Sequence, residues 1–392
     1  MKLQYQGSAK QFAQNVMNKF CAAPWVSLST DVDGSARPCC RYSQHDRQTT
    51  HIMPNLKNNS LEDVWNSDEF NKLRKSFIDG EYIEECNWCY DEEESGIVSY
   101  REKLNKKYPN TINLVNDNIS SPKMLDLKLS NSCNLKCRIC SAKASSTILA
   151  EFEKFGEVFE DKKYWLSNKI IGTDNENNFT KNWLRNLDRL ELTGGEPLQS
   201  KENKKLIDIV CSSEYVNNID ILITTNTTVF SPRLNKQLKK FKSCTISMSI
   251  DDIDERFEFS RKNAKWETAK RNIINYNKLF MCSIYCTISN YNVFYLNDII
   301  KFANDHNIRI TFGVLHEDEY NSIKYLNTKT KNMLFNKYID NPYISNILNI
   351  MLSHNTDLTL EFLRNTHKLD WQRAEDFNNT FPEWSDILYD SL

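Results

Sequence analysis

An α/β architecture around a largely parallel sheet is expected of this chain, on three grounds. Between about residues 122 and 320, short apolar runs alternate with longer amphipathic ones. The short runs are β-branched and nearly continuous in apolar content, as parallel strands covered on both faces are. The long runs carry helical periodicity, and repeated β/α alternation lays right-handed crossovers onto one sheet. The six strands expected are residues 124–129, 189–193, 220–225, 245–250, 283–288 and 309–314. Helices are expected at 142–155, 204–211, 232–241, 266–280 and 296–306, and a polar, Asn-rich insertion at 156–181 reads as a loop.

The flanks read differently. Residues 1–120 hold one amphipathic pattern (Leu61, Val64, Trp65, Phe70, Leu73, Phe77) and five cysteines near loops. That is a small metal-stapled unit whose own core is thin. Its segment 25–29 is strand-like and leads into an Asp33–Gly34 dipeptide, the signal of a two-residue hairpin turn. Residues 321–392 are helical in pattern, a cap in which Asp370, Trp371 and Arg373 form the polar–aromatic cluster of note. The division expected is therefore 1–120, 121–320 and 321–392.

Composition sets the class. The 392 residues suit two to three domains. Fifty basic against 52 acidic residues leave a net charge of −2, so no broad basic field offers itself to nucleic acid or an anionic membrane. No run approaches the ~20 apolar residues of a membrane span, and the opening MKLQYQGSAKQF lacks a signal core. A cytoplasmic protein is expected. Twelve cysteines in such a chain point to metal or redox chemistry, not to disulfides.

Spacing sharpens this. Cys133, Cys137 and Cys140 form a CxxxCxxC run, while Cys21, Cys39, Cys40 and the Cys86–Cys89 CxxC pair lie upstream. Cys211, Cys244, Cys282 and Cys286 sit in apolar segments and read as buried, inert thiols. Three thiolates from one loop hold three irons of a [4Fe–4S] cube and leave the fourth open for a ligand. Zinc normally takes four closed ligands, and this run has no nearby fourth.

CNLKCRIC after an apolar strand, with LTGGEPL at 192–198, resembles the radical S-adenosylmethionine (SAM) superfamily. The resemblance covers roughly residues 122–320 and implies a partial (β/α)6, TIM-like barrel. It implies that Cys133, Cys137 and Cys140 hold the cluster and that SAM chelates the open iron. One electron then yields methionine and a 5′-deoxyadenosyl radical that abstracts hydrogen from substrate. Ile139 is a departure, since many members carry an aromatic there. Gly194, Gly195, Glu196 and Pro197 would grip the methionyl amino group, the glycines by letting backbone approach a ligand closely. Asn226, Ser249, Asp251 and Thr287 end successive strands, where α/β barrels build sites, and Arg261 follows in a loop. The resemblance places Ser249 and Asp251 near the SAM ribose, Arg261 near its carboxylate and Thr287 near adenine. Each is alternatively a strand end or helix cap. Asp251, Cys286 and His316 are candidate proton or hydrogen-atom donors.

Cys21, Gly34 and Cys39 fit the hairpin of SPASM and twitch auxiliary-cluster domains, with Cys86 and Cys89 completing a ligand set. Here that unit precedes the barrel it usually follows. The resemblance implies a second [4Fe–4S] cluster, structural zinc being the alternative, and the spacing selects Cys39 over Cys40. An electron donor such as flavodoxin or ferredoxin is implied as well. Relatives' substrates divide between peptides or proteins and small sugars or nucleotides, and the former are preferred here. A non-catalytic scaffold or redox sensor predicts a damaged motif, and both motifs are intact.

Overall fold

The computed structural model describes residues 19–42, 53–56, 58–114, 121–159, 183–315 and 318–392. His316 and most of the 156–181 insertion lie outside the described residues. The six expected strands form at Met124–Lys128 (β3), Arg189–Thr193 (β5), Asp220–Thr225 (β6), Ser243–Ser249 (β7), Met281–Ile288 (β9) and Arg309–Val314 (β10). They lie side by side in chain order, all parallel, as right-handed β/α crossovers dictate. Serine hydroxyls start the connecting helices. Ser145, Ser200 and Ser231 accept from Ile148, Asn203 and Leu234 backbone N–H groups, and Pro232 occupies the first turn. The C-terminal segment is helical, including Thr328–Tyr338, Thr359–Arg373 and Pro382–Asp390.

The structure corrects four expectations. The strands are not apolar on both faces: β6 and β7 alternate half-buried and buried residues along their length. Leu190, Leu192, Ile221, Ile223, Ile246, Met248 and Ile284 pack under the helices. Ser29, Asp126, Glu191, Thr245, Ser247, Tyr285 and Thr311 share the opposite, concave face by register. Strands of five to eight residues with Thr, Ser and Asp at alternate positions carry this signal, which the apolar count obscures.

The N-terminal hairpin is also no separate sheet. Ser27–Thr30 (β1) pairs in parallel with β3, Ser27 opposite Met124, and Ala36–Arg37 (β2) extends the sheet to eight strands. Its turn is longer than the Asp-Gly dipeptide suggests. Asp31 N–H donates to Ser35 O, leaving Val32–Gly34 as a three-residue loop with Gly34 at φ 81°. A left-handed residue after a tight turn is the form that glycine permits. The amphipathic pattern at 61–77 splits in two, Leu61–Trp65 and Asp68–Ile78, because Ser67 stops one helix and caps the next. Val64, Trp65, Phe70, Leu73 and Phe77 join the same core as the barrel's helix-facing residues, which remedies the module's thinness.

Ser67 Oγ accepts from Phe70 N–H at 3.2 Å. Ser67→Ala should therefore lower stability to urea by about 1 kcal/mol while Ser67→Asp preserves it. Equal midpoints for the alanine variant and the parent would remove the cap's role.

Candidate active site

The site is built where two backbones touch. A Cβ on Gly195 would stand 2.3 Å from Ser132 O and 2.7 Å from Asn131 C, and one on Gly194 would stand 2.8 Å from Ser130 O. Gly195 N–H donates to Ser130 O and Glu196 N–H to Ser132 O, at 3.0 and 2.8 Å. The close approach expected of these glycines is thus to the stretch that leads into Cys133. Glycine at both positions zips the two loops together. Pro197 follows at the second position of a turn closed by Gln199 N–H on Glu196 O.

Glu196 differs from expectation. Its carboxylate is buried and takes hydrogen bonds from Leu198 N–H, Thr225 Oγ1 and Asn226 N–H, at 3.1, 2.8 and 2.7 Å. Burial pushes its pKa up, and those three donors oppose the rise. In this arrangement it braces the GGEP turn against the end of β6. Asn226 in turn donates from Nδ2 to Asn134 Oδ1 at 3.0 Å, and lies 3.9 Å from Cys133 Sγ. The turn, β6 and the cysteine loop are thereby one hydrogen-bonded unit.

A second unit meets it from the other side. Lys136–Cys137 (β4) and Arg261–Lys262 (β8) form a two-stranded antiparallel pair with Cys137 opposite Arg261. Arg261 Nη1 lies 3.7 Å from Cys137 Sγ and Nη2 2.6 Å from Asp251 Oδ2. Asp251 Oδ1 accepts from Thr287 N–H at 2.9 Å. Burial works against the guanidinium charge, but Asp251 and then Cys137 outweigh it, so the Arg261 pKa rises. Ser249 sits half-buried at the C-terminal end of β7, on the concave face. Asp251 is committed to Arg261 and Thr287, and Cys286 lies fully buried with its Sγ 3.6 Å from Asp251 O. Neither is presented as a free donor.

The donor set suits an iron–sulfur group. Cys133, Cys137 and Cys140 all have thiol pKa values raised, first by burial. Arg261 supplies a fixed positive charge beside thiols that bind metal only as thiolates. Its Nε is buried without a partner. In the N-terminal module, the Cys39 and Cys86 thiols are raised by burial and then by their cysteine neighbours, Cys21 and Cys89 among them. Cys40 is raised by burial and next by Asp126, so its surroundings are the concave face. Among the described residues, no three or more His, Cys, Asp or Glu side chains are drawn together onto a single ion. A cube ligated at its corners asks for no such contraction.

Several residues of the site escape a reading of the sequence. Lys143, three residues after Cys140, pairs with Asp31 at 3.0 Å and Asp33 at 2.8 Å, tying the hairpin tip to the cysteine loop. Arg138, between the second and third cysteines, has a fully buried side chain paired with Asp370 and Glu375. Arg41 ion-pairs with Glu92 and stacks on Trp88 at 4.0 Å, and its charge opposes the rise that burial gives the Tyr285 hydroxyl pKa. It thus joins the hairpin edge of the sheet to β9 across the concave face. The only hint in the sequence is three cations in eight residues, Lys136, Arg138 and Lys143.

Residues 127–303 match the radical SAM superfamily, and residues 21–90 match SPASM, an iron–sulfur cluster-binding domain. Residues 127–303 are thus a radical SAM domain and residues 21–90 a SPASM-like iron–sulfur domain, and the cofactors these domains imply are a SAM-binding [4Fe–4S] cluster, SAM and auxiliary iron–sulfur. A curated relative is an uncharacterized protein of Methanocaldococcus jannaschii, 26% identical, covering 58% of this chain and 76% of that one. Radical SAM cyclopropyl synthase TigE of Paramaledivibacter caminithermalis is 23% identical, covering 67% of this chain but only 55% of TigE. Among solved structures, anSMEcpe with bound AdoMet is 19% identical at a TM-score of 0.42, covering 60% of this chain and 63% of that one. Streptococcus suis SuiB bound to S-adenosylmethionine is 17% identical at 0.37, covering 70% and 61%. No helix among the described residues is long and apolar enough to cross a membrane.

Two outcomes follow. Gly195→Ala forces a side chain into backbone that cannot yield, so stability should fall by at least about 2 kcal/mol. Urea unfolding and bound iron report it, and unchanged values for both would refute the steric argument. The Asp31 carboxyl is held below the usual range: burial raises it, but Lys128, Arg37 and Lys143 prevail. Its contribution is therefore complete above the unfolded value of 3.8 and is lost only in stronger acid. Asp31→Asn should cost about 1–3 kcal/mol, by an amount constant from about pH 6 to pH 9. A cost that grows or vanishes across that window would count against the ion pairs of Asp31 with Lys143 and Arg37.

Proposed function

We propose that the chain cleaves SAM reductively and takes hydrogen from a peptide or protein that it modifies. Cys133, Cys137 and Cys140 are the cluster ligands in this reading, and Cys21, Cys39, Cys86 and Cys89 hold the auxiliary cluster. When bound, cluster and SAM supply a 5′-deoxyadenosyl radical. The residues around them orient and insulate. Arg261 balances the negative charge of the thiolates from a buried position anchored by Asp251. Gly194, Gly195, Glu196, Pro197 and Asn226 frame the methionyl side, and Ser249 and Thr287 border the nucleoside side from the ends of β7 and β9.

The observation that carries the chemistry is the Cys137–Arg261–Asp251–Thr287 chain of contacts, which places a cation of fixed charge on the cysteine loop. The substrate class rests on the concave face. Polar residues run along it from Ser29 to Thr311, with Asp126 and Glu191 acidic and Lys128 and Arg189 basic. Such a surface suits an extended chain carrying amide groups and both signs of charge better than one small sugar.

Anaerobically reconstituted protein should release 5′-deoxyadenosine from SAM with dithionite, and the Cys133/Cys137/Cys140→Ala variant should not. With two cubes, iron should approach about eight per chain and fall to about four in that variant. One zinc and no iron in its place would make the N-terminal site structural. Offered separate peptide and small-molecule fractions from deuterium-grown cells, the enzyme should move deuterium into 5′-deoxyadenosine from the peptides. Transfer from the small-molecule fraction alone would overturn the substrate reading.

A further inference from the structure

The two residues that flank Cys137 are both tied, through ion pairs, to one short stretch of the C-terminal region. Arg138 carries a guanidinium whose side chain has no solvent exposure, paired with Asp370 and, at 2.6 Å, with Glu375. The ring of Phe259 lies 3.7 Å beneath it and that of Tyr291 at 5.6 Å. Lys136 pairs with Glu151 at 3.2 Å, and Glu151 takes Arg373 at 2.6 Å. Lys262, opposite Lys136 in the β4–β8 pair, reaches Glu375 at 2.8 Å and Arg373 O at 3.4 Å.

These anchors are themselves fixed. Asp370 accepts with its second oxygen from Phe377 N–H at 2.8 Å, capping the next turn of the cap. Phe377, Phe381 and Phe362 then seal the stretch into the core. Of the expected cluster, Asp370 and Arg373 face the cysteine loop, while Trp371 is 83% exposed and takes no part. Both matched segments end well before residue 370.

Cys137 and Cys140 are joined by a turn in which Cys140 N–H donates to Cys137 O at 3.2 Å, and Arg138 N–H donates to Ser260 O at 2.9 Å. A turn this short transmits any shift of Arg138 to both thiols. We infer that Arg138 is a positioning residue through which the C-terminal helix Thr359–Arg373 sets the geometry of the SAM-cluster loop. The inference rests on the reading that Cys133, Cys137 and Cys140 hold that cluster. Residues outside the thiol shell commonly change metal affinity by ten- to a hundred-fold, and a fully buried charge network enforces one arrangement or fails as a unit.

The test uses full-length reconstituted enzyme. Removing one partner strands a buried charge, so Arg138→Met is combined with Asp370→Asn and Glu375→Gln, which removes the buried charges together and leaves Lys262, half-buried, to solvent. Circular dichroism and urea unfolding check the fold. Two readouts then report position: loss of iron to a chelator, and the change that SAM produces in the paramagnetic resonance of the dithionite-reduced protein. The triple variant should lose about half its iron at least ten-fold faster than the parent, bind SAM at least ten-fold more weakly and show a diminished SAM-induced change. A folded variant with parental chelation and SAM binding overturns the inference. If the triple variant does not fold, Glu375→Gln decides, since it leaves Asp370 on the guanidinium. It should release iron at least two-fold faster, and an unchanged rate overturns the proposal. A parent enzyme whose resonance ignores SAM would instead defeat the cluster assignment beneath it.

Discussion

A backbone carbonyl 2.3 Å from where a Cβ of residue 195 would stand leaves the chain no freedom there. Because only glycine fits, the GGEP turn and residues 130–132 share two main-chain hydrogen bonds, and Cys133 leaves that junction in a fixed direction. Glu196 then turns inward and gathers three donors from the turn and from β6. Asn226 passes the order on to Asn134 and Cys133. One steric fact thus reaches the sheet end and the first thiol.

The sheet sorts its residues by face, and the sorting makes room for chemistry. Apolar side chains alternate toward the helices and supply the core. Their neighbours line a concavity with hydroxyls, carboxylates and cations. Burying charge costs free energy unless it is paired, and here the pairs recur wherever two segments must meet. Arg261 with Asp251 joins two strand ends, Lys143 with Asp31 and Asp33 joins hairpin to loop, and Arg138 with Asp370 and Glu375 joins loop to cap. A net charge near zero conceals how many charges are used this way.

Much of this was legible beforehand. Strand positions come from local periodicity, and Arg189–Thr193 and Asp220–Thr225 form where it places them. The cysteine run and GGEP are each an unbroken motif in the sequence, so their meeting needed only the resemblance. What stayed hidden depends on long separations. Arg138 and Glu375 are 237 residues apart, and nothing local in either says that they pair. The inward turn of Glu196 was likewise unreadable, because a glutamate beside two glycines reads equally well as ligand or brace. The two-faced strands were missed because serine and threonine are short enough to pass in a run of isoleucines.

The hairpin's place in the sheet has a consequence for how the chain is made. Ser29 and Asp126, hydrogen-bonded across β1 and β3, are 97 residues apart. Strand β1 therefore emerges from the ribosome with its partner unsynthesised, and loop closure must wait for the first barrel strand. Cys86 and Cys89 emerge within that interval, so all four N-terminal thiols leave the ribosome before the strand that holds β1 in the sheet. Until β3 has emerged those thiols have no completed sheet beside them, and a nascent chain released early would offer β1 as a bare strand edge. Assembly of this enzyme is thus ordered by topology: the barrel's first strand comes before the N-terminal module can be finished.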